Sequence, residues 1–277
     1  MMTLLRVCFV LLLIVTCACA NVFCADDDAI REWLEKQPIK IGETTIRSIK
    51  ISDASNPFVV GNTVYEGSTL MHIAAAEGLV DVMKWLKSQG VDINTGNIGG
   101  AIPLHHAVQS GNIDAVKWLV EQCTHINARS NSGYTPMSLA AMCGFLEMMK
   151  WLKEQGADVN AKNNLNNNTS MHLAASGGHL EVMKWLKSQG VAVTDSRIMC
   201  RAAGAGNVEM LQWLKEQGLD ISIKDHIGNT PMRSAAFGGN VEAMKWLMEQ
   251  GLDVNVKDQY GYTLMHEAAF SDTIDLS

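Results

Sequence analysis

The chain has 277 residues and a formal net charge of −7, with 47% hydrophobic and 18% charged residues. This is the composition of a soluble, folded protein, long enough for a sizeable core and for one or two domains. The acidic balance excludes the strongly basic surface that nucleic-acid binding requires, so we predict no nucleic-acid partner.

The first 20 residues, MMTLLRVCFVLLLIVTCACA, have the order of a secretory signal peptide. Arg6 precedes the apolar residues 7–15, and the small residues Ala18 and Ala20 flank Cys19 in an A-x-A cleavage pattern. A membrane span needs about 20 apolar residues, so the run is short for one, and an uncleaved signal anchor is the alternative. We therefore predict cleavage after Ala20, a secreted or periplasmic protein, and no membrane insertion after cleavage.

Residues 21–66 precede a repeated part of the sequence. AIREWLEKQP, at 29–38, is predicted to form an N-terminal capping helix. The segment 39–65 begins IKIGETTIRSIKIS, and its alternation of apolar and polar residues indicates a β-hairpin insertion. We therefore predict that 21–66 forms a region distinct from the repeats at 67–277.

A Trp-Leu pair then recurs at spacings of 33, 33, 34, 28 and 33 residues, which is the signature of an internal repeat. The tryptophans are Trp85, Trp118, Trp151, Trp185, Trp213 and Trp246. Each period contains a turn-like segment, a short apolar helix that ends near glycine, and a second helix. The sequence therefore predicts an array of helix pairs.

The second helix contains the string VMKWLKSQGV, present at 82–91 and again at 182–191. Its apolar residues fall on one arc of a helix and its lysines on the opposite arc. A tryptophan between lysines could serve a membrane or nucleic-acid surface. We interpret it instead as part of a core stacked between neighbouring repeats, with the lysines in solvent.

GYTPMSLAAMCGFLEMMKWLKEQGADVNAKN, at 133–163, resembles the ankyrin repeat, as do GSTLMHIAAAEG, TSMHLAASGGHLEV and GNTPMRSAAFGGNVEAM. The resemblance implies an all-α solenoid of stacked helix-turn-helix units with short β-turn fingers. It also implies a concave face, made of fingers and first helices, that binds other proteins. We predict about six units in 67–277, a shortened one at 196–225, and a C-terminal half repeat. The finger before the shortened unit lacks about five residues, which predicts a notch there.

Histidines occupy the last position of a TPLH-like tetrapeptide, where the resemblance implies bonds to local backbone and to the threonine hydroxyl. They are His72, His105, His172 and His266. Because stacking separates equivalent positions, we predict no metal site. No catalytic motif is present, so we predict no enzyme activity and no cofactor. The cysteines outside the signal peptide have no disulfide or metal spacing, and we interpret them as small buried residues.

Variable positions of the repeats supply the candidate contact residues, because specificity in a repeat array depends on the side chains that differ between units. Aromatic side chains are the usual anchors of binding energy. The predicted partner-binding residues are Tyr65, Gln109, Ser110, Asn131, Tyr134, Met142, His226, Asn229, Phe237, Tyr260, Tyr262 and Phe270. For Tyr134 and Tyr262, packing within the finger is an equal alternative. Overlapping N-x-[ST] sequons mark Asn167 and Asn168 as possible glycosylation sites.

The sequence thus predicts a monomeric, non-catalytic scaffold that binds another protein after export. One alternative is an exported enzyme, or an accessory to one, with its activity in the 39–65 insertion, although that segment is too small to form a pocket alone. Another is a truncated gene product, since Asp272 stands where the repeat expects glycine and no second helix follows. The identity of the partner does not follow from the repeat pattern.

Overall fold

The computed structural model describes residues 39–41, 44–46, 58–60, 63–65, 68–88, 90–164, 166–225, 228–255 and 263. The chain divides into two compact units, Met1–Asn131 and Ser132–Ser277. The predicted signal peptide, capping helix and C-terminal half repeat lie almost entirely outside the described residues. Within those residues, none of the helices has both the length and the apolar character that a bilayer crossing requires.

The first unit contains two antiparallel strand pairs followed by two helix pairs. The strands are β1 (Ile39–Ile41), β2 (Thr44–Ile46), β3 (Phe58–Val60) and β4 (Thr63–Tyr65). Strand β1 pairs with β2 and β3 pairs with β4, both within the segment for which the sequence predicts a hairpin. The helices are α1 (Leu70–Ala76), α2 (Val80–Ser88), α3 (Pro103–Gln109) and α4 (Ile113–Glu121).

The second unit contains four helix pairs in the described residues. Its helices are α5 (Pro136–Cys143), α6 (Leu146–Glu154), α7 (Ser170–Ser176), α8 (Leu180–Ser188), α9 (Ser196–Ala205), α10 (Val208–Glu216), α11 (Pro231–Phe237) and α12 (Val241–Glu249). First helices pack side by side in the order α5, α7, α9 and α11, and each packs against its own second helix. This order confirms the predicted succession of helix pairs in this unit.

Small residues in the first helices allow the close packing. Ala140, Ala174 and Ala202 have no exposed surface, so neighbouring helices approach with only a methyl group between them. Larger side chains from the second helices fill the space behind, including Met149, Leu152, Met183 and Leu186, which are also fully buried. Methionine suits this layer because its flexible thioether fills irregular gaps.

The tryptophans are less buried than the sequence predicts. Trp118 and Trp246 are 8% exposed, but Trp151, Trp185 and Trp213 are only half-buried. These three indoles therefore lie at the outer edge of the stack of second helices. The ammonium group of Lys187 is 6.0 Å from the centroid of the Trp213 ring, at the limit of a cation–π contact.

The repeated lysine and glutamine of the second helices connect one repeat to the next. Lys87 Nζ donates to Gln122 Oε1 at 2.7 Å, and Lys215 Nζ donates to Gln250 Oε1 at 2.6 Å. The same bond joins Lys153 to Gln189 and Lys187 to Gln217. Lysine and glutamine side chains at the ends of the second helices thus pair across repeat boundaries on the solvent side.

Histidines link the first repeats to the fingers that follow. The Nδ1 atom of His72 accepts from the backbone N–H of Thr69 at 3.0 Å, so its Nε2 carries the proton. That Nε2 donates to the carbonyl oxygen of Ala101, 29 residues later, at 2.8 Å. His105 makes the equivalent bond to the carbonyl oxygen of Ala128 at 3.1 Å. Each ring therefore braces its own turn and the next one.

His106 is an additional histidine in this cluster. Its ring is half-buried and lies edge-on to His72, with ring centroids 5.2 Å apart. Its Nε2 is 3.2 Å from Nδ2 of Asn97, which donates to it. Burial, with a smaller effect of the neighbouring His72 and His105, lowers the pKa of His106 to about 4.

The cysteines differ in their environments. Cys200 is buried, its Sγ donates to the carbonyl oxygen of Asn229, and burial raises the pKa of its thiol to about 11. Cys143 is half-buried, whereas Cys123 is exposed, with a φ angle of 63° at the end of its helix pair. The interpretation of the cysteines as buried residues is therefore wrong for Cys123.

We expect Gly206→Ala to destabilise the protein more than Gly218→Ala. Both glycines have a positive φ, +76° and +88°, which costs roughly 1–2 kcal/mol for any other residue. A methyl group at 206 would also lie 2.3 Å from Oδ1 of Asn240, whereas one at 218 would meet nothing within 4 Å. Displacing Asn240 breaks its bond to the carbonyl oxygen of Gly204, which contributes about 1 kcal/mol more. Urea unfolding of the two variants measures the difference, and equal losses would contradict this account.

We also expect stability to fall as the pH drops from about 6.5 towards 4. The unfolded chain binds a proton at His106 near its ordinary pKa of 6.5, whereas the folded chain resists protonation until about pH 4. The stabilising contribution is therefore complete above 6.5 and is lost below it, by at most about 1.4 kcal/mol per pH unit. Urea unfolding between pH 4 and 7.5 should show a shallower slope for His106→Gln. The control is His125→Gln, which changes an exposed histidine, and an unchanged slope in His106→Gln would refute the assignment.

Candidate functional site

The first helices of the second unit have an unusual charge distribution. Apart from histidine, the only ionisable side chains in α5, α7, α9 and α11 that carry charge at neutral pH are three arginines, Arg197, Arg201 and Arg233. All the lysines of this unit's described helices are instead on second helices, where acidic side chains accompany them. We call the side formed by α5, α7, α9, α11 and the fingers before them the first-helix face.

The shortened finger before α9 changes how one repeat contacts the next. In the full-length repeats of the first unit, a histidine Nε2 donates to a backbone carbonyl of the following finger. Here the Nε2 atom of His172 lies 3.0 Å from Oδ2 of Asp195. A carboxylate thus stands where a longer finger would present a carbonyl oxygen. Asp195 thereby compensates for the residues that this finger lacks.

Asp195 is also the N-cap residue of helix α9, and its carboxylate binds an arginine. Its Oδ1 accepts from the backbone N–H of Arg197 at 3.0 Å, as an N-cap does, and the guanidinium of the same arginine donates to both carboxylate oxygens. The bonds from Arg197 hold the pKa of Asp195 well below its usual range, despite an opposing effect of burial. The carboxylate is therefore ionised at neutral pH and fixed in one orientation.

Two arginines of α9 extend this network to the preceding repeat. Arg197 Nη1 donates to the carbonyl oxygen of Asn166 and to Oδ1 of Asn168. Arg201 donates from Nη1 to Oγ of Ser176 at 2.8 Å and from Nη2 to Oδ1 of Asn168 at 3.2 Å. Burial lowers the pKa of Arg201, and the charge of Arg197 lowers it further. The face thus contains a half-buried guanidinium held by neutral acceptors.

Sequence reasoning missed these two arginines as candidate site residues. The available signal was that both belong to a first helix, whereas the first helices α5 and α7 of the same unit contain no arginine, lysine, aspartate or glutamate. Their roles depend on Asp195 and Asn168, which come from two different fingers. Only stacking brings these groups together, because the residues of the network are up to 33 positions apart.

Phe237 is the most exposed large apolar side chain in the described residues, with 83% of its surface in solvent. It ends helix α11, beside the end of α9. A methyl group at Gly238 would lie 2.4 Å from the carbonyl oxygen of Gly204, so the two helix ends touch there. Gly204 has no side chain, and a methyl group on it would meet only Ser234, at 3.5 Å or more. A side chain at 204 would thus already contact Ser234, so α9 and α11 pack closely here, and the ring of Phe237 is exposed where the two helices end.

Other predicted contact residues have structural roles in the fingers. Asn131 Nδ2 donates to the carbonyl oxygen of Ile98 at 2.9 Å, which joins two neighbouring fingers of the first unit. The backbone N–H of Asn229 donates to Oδ1 of Asp225 at 2.9 Å and closes its own finger turn. Their assignment as partner-binding residues stays a prediction beside these structural roles.

The structure describes four further predicted partner-binding residues, two in each unit. Gln109 and Ser110 are exposed at the end of α3 in the first unit. In the second unit Tyr134 and Met142 are half-buried, and the carbonyl oxygen of Met142 accepts from His179 Nε2 at 3.0 Å. His179 therefore has a structural role that sequence reasoning did not assign.

The remaining predicted partner-binding residues lie outside the described residues or are described only by their backbone. Tyr65 is described only by its backbone in β4. The residues outside the described ranges are His226, Tyr260, Tyr262 and Phe270. Their assignments stay predictions from sequence.

The two overlapping sequons are distinguished by burial. Asn168 is 5% exposed, and its Oδ1 accepts from both arginines of α9, so a glycan on its amide nitrogen would have to disrupt the network. Asn167 is exposed and has a φ angle of 52°. The possible glycosylation site therefore narrows to Asn167.

In the described part of the chain, no group of three or more His, Cys, Asp or Glu residues is arranged to hold a metal ion.

Comparison with known proteins agrees with this architecture. The sequence matches the family described as ankyrin repeats (3 copies) over residues 41–130, 71–163, 122–197 and 198–276. Among solved structures, the ankyrin repeat domain of human ASB11 is similar, with 26% sequence identity and a TM-score of 0.58. The match covers 73% of this chain and 92% of that domain. No curated protein matches the sequence significantly. With tandem helix pairs, histidine-braced fingers and a family match across most of its length, this chain belongs to the ankyrin-repeat family.

Proposed function

We propose that this chain is a non-catalytic scaffold that binds a partner protein through the first-helix face of its second unit. The observation that carries the proposal is the exposure of Phe237 at the point where the ends of α9 and α11 touch. Ankyrin repeats generally mediate protein–protein interaction, and proteins built from them are typically non-catalytic.

The local chemistry of Phe237 supports this surface. Leaving a phenyl ring in water forgoes roughly 1.5–3 kcal/mol of burial free energy, which a partner would recover on binding. Aromatic residues are common anchors of the binding energy of protein interfaces. On the neighbouring helix α9, the half-buried guanidinium of Arg201 supplies a polar group one helical turn before Gly204. An apolar anchor with a polar neighbour is typical of an interface centre.

We further propose that binding takes place after export. The support is the order of the first 20 residues, in which Arg6, an apolar run and the A-x-A pattern at Ala18–Ala20 follow one another. The partner would then be a protein outside the cytoplasm. The exposed sequon at Asn167 is compatible with passage through a secretory pathway.

Phe237→Ala should weaken partner binding about 30-fold, because it removes an anchor that contributes roughly 2 kcal/mol to an interface. The partner is first recovered by affinity capture with the wild-type chain and identified by mass spectrometry. Its dissociation constant is then measured by calorimetry against each variant. The variant should fold normally, since the removed ring is exposed, and thermal unfolding followed by circular dichroism checks this.

The matched control is Val241→Ala. Val241 is 58% exposed and apolar, but it is on the second helix α12, away from the first-helix face. It should bind the partner with unchanged affinity. If Phe237→Ala binds as tightly as wild type, or both variants weaken binding equally, the face is not the binding surface.

The export proposal predicts that the chain released by the native cell begins at Asn21. N-terminal sequencing or intact-mass measurement of the released chain determines the cleavage point. Leu12→Arg should retain the protein inside the cell, because a charge interrupts the apolar run, whereas Leu12→Ile should leave export unchanged. Recovery of the full 277-residue chain in the cytoplasm of the native cell would overturn the proposal.

A further inference from the structure

We propose that Arg201 binds a carboxylate side chain of an acidic segment in the partner, next to an apolar residue that contacts Phe237. This rests on the proposed protein-binding function and specifies the chemistry of the partner. The occupant is an acidic stretch of polypeptide in which a hydrophobic side chain stands near an aspartate or glutamate.

The charge distribution selects an acidic partner. The chain as a whole has a net charge of −7, which repels acidic proteins at long range. The first helices of the second unit nevertheless carry three arginines and no aspartate or glutamate. They also carry no lysine. Arginine is the residue of choice where a planar carboxylate is bound by two parallel hydrogen bonds.

The three arginines are not equivalent. Arg197 binds the carboxylate of Asp195 through Nε and Nη2, at distances between 2.6 and 3.1 Å, so its charge is already neutralised. Arg201 binds only neutral groups with its described hydrogen bonds, the hydroxyl of Ser176 and the side-chain oxygen of Asn168. Unlike Arg197, Arg201 therefore has no carboxylate among its described hydrogen-bond partners, although the charges of Asp195 and Asp225 also act on it.

The hydrogen bonds of Arg201 also prepare it for a ligand. A guanidinium has five N–H donors, and the bonds to Ser176 and Asn168 use two of them. The remaining three suffice for the two oxygens of one carboxylate. Because the side chain is already held in place, binding costs little additional conformational entropy. Its half-buried position excludes part of the water that would screen an exposed ion pair.

The surroundings of Arg201 place an apolar contact nearby. Gly204 follows Arg201 by three residues on α9, so it lies about one turn further along the same side of the helix. The end of α9 touches α11 at Gly238, directly after Phe237. A polypeptide that places a carboxylate on Arg201 can therefore place a nearby apolar side chain against the exposed ring of Phe237.

The competing interpretation gives Arg201 only a structural role, in which it ties α9 to α7 and to the finger of Asn168. That role predicts a loss of stability when Arg201 is changed, but no preference for acidic ligands. It also predicts no rescue of binding by a reversed charge in the ligand. The two interpretations therefore differ in measurable ways.

The test is selection of a displayed random dodecapeptide library on the full chain at about 50 mM salt. We expect the selected peptides to be enriched in aspartate and glutamate next to an apolar residue. A representative peptide, synthesised with a fluorophore, should bind Arg201→Gln at least tenfold more weakly, as expected for a hydrogen bond between charged groups. The control Lys245→Gln removes one positive charge from an exposed position on the second helix α12 and should change binding less than twofold.

If Arg201→Gln is less stable than the wild-type protein, a charge reversal at the same position distinguishes a binding role from a structural one. Arg201→Glu should bind the acidic peptide at least 100-fold more weakly, and changing the key acidic residue of the peptide to lysine should restore most of that loss. A structural role alone would give no such rescue. Melting temperatures of all variants are measured alongside.

The outcomes separate this inference from the function on which it rests. If peptides are selected that depend on Phe237 but lack acidic enrichment and ignore Arg201→Gln, the acidic-ligand inference is wrong and the binding face stands. If no selected peptide depends on Phe237 or on Arg201, both proposals fail.

Discussion

The structure of each unit depends on polar side chains that cross from one repeat to the next within that unit. A single helix pair cannot bury its own apolar face, so every repeat needs the next one in exact register. Packing of alanine on alanine is non-directional and does not set that register. The register is set by directional hydrogen bonds, such as the one from His72 to the carbonyl oxygen of Ala101 and the one from Asn240 to the carbonyl oxygen of Gly204. Gly144 and Gly206 are required where such a crossing side chain, from His179 and Asn240 respectively, approaches the backbone too closely for a Cβ atom.

The same constraint explains the arginine network of the second unit. A shortened finger removes the carbonyl that would otherwise receive the bond from His172, and a buried ring nitrogen without a partner is costly. Asp195 fills that place, and its negative charge in turn requires Arg197. The compensation for a structural gap thus concentrates charged groups on a face that is otherwise apolar or small. Proximity to Arg201 and Phe237 makes this irregular repeat the centre of the proposed binding surface.

The two sides of each repeat have different chemistry for a physical reason. Second helices pair lysine with glutamate within a helix and with glutamine across repeats, so their charges are balanced and solvated. Such exposed pairs contribute little to stability and offer little to a partner. First helices have few polar groups, and those present are held by neighbours. Specificity therefore belongs to the first-helix face, where a few side chains depart from the repeat.

The sequence by itself determined the period, the helix pairs and the shortened finger, because each depends on local spacing and on patterns of apolar residues and glycine. The bracing role of the histidines followed from the resemblance to the ankyrin repeat. It also identified Phe237 as a variable aromatic residue. Only the tertiary structure decided that Trp151, Trp185 and Trp213 are half-buried, that Asn168 is buried, and that Asp195 replaces a carbonyl. These properties arise from contacts between residues about one repeat apart. Their geometry follows from how the repeats stack, which no single segment of the chain encodes.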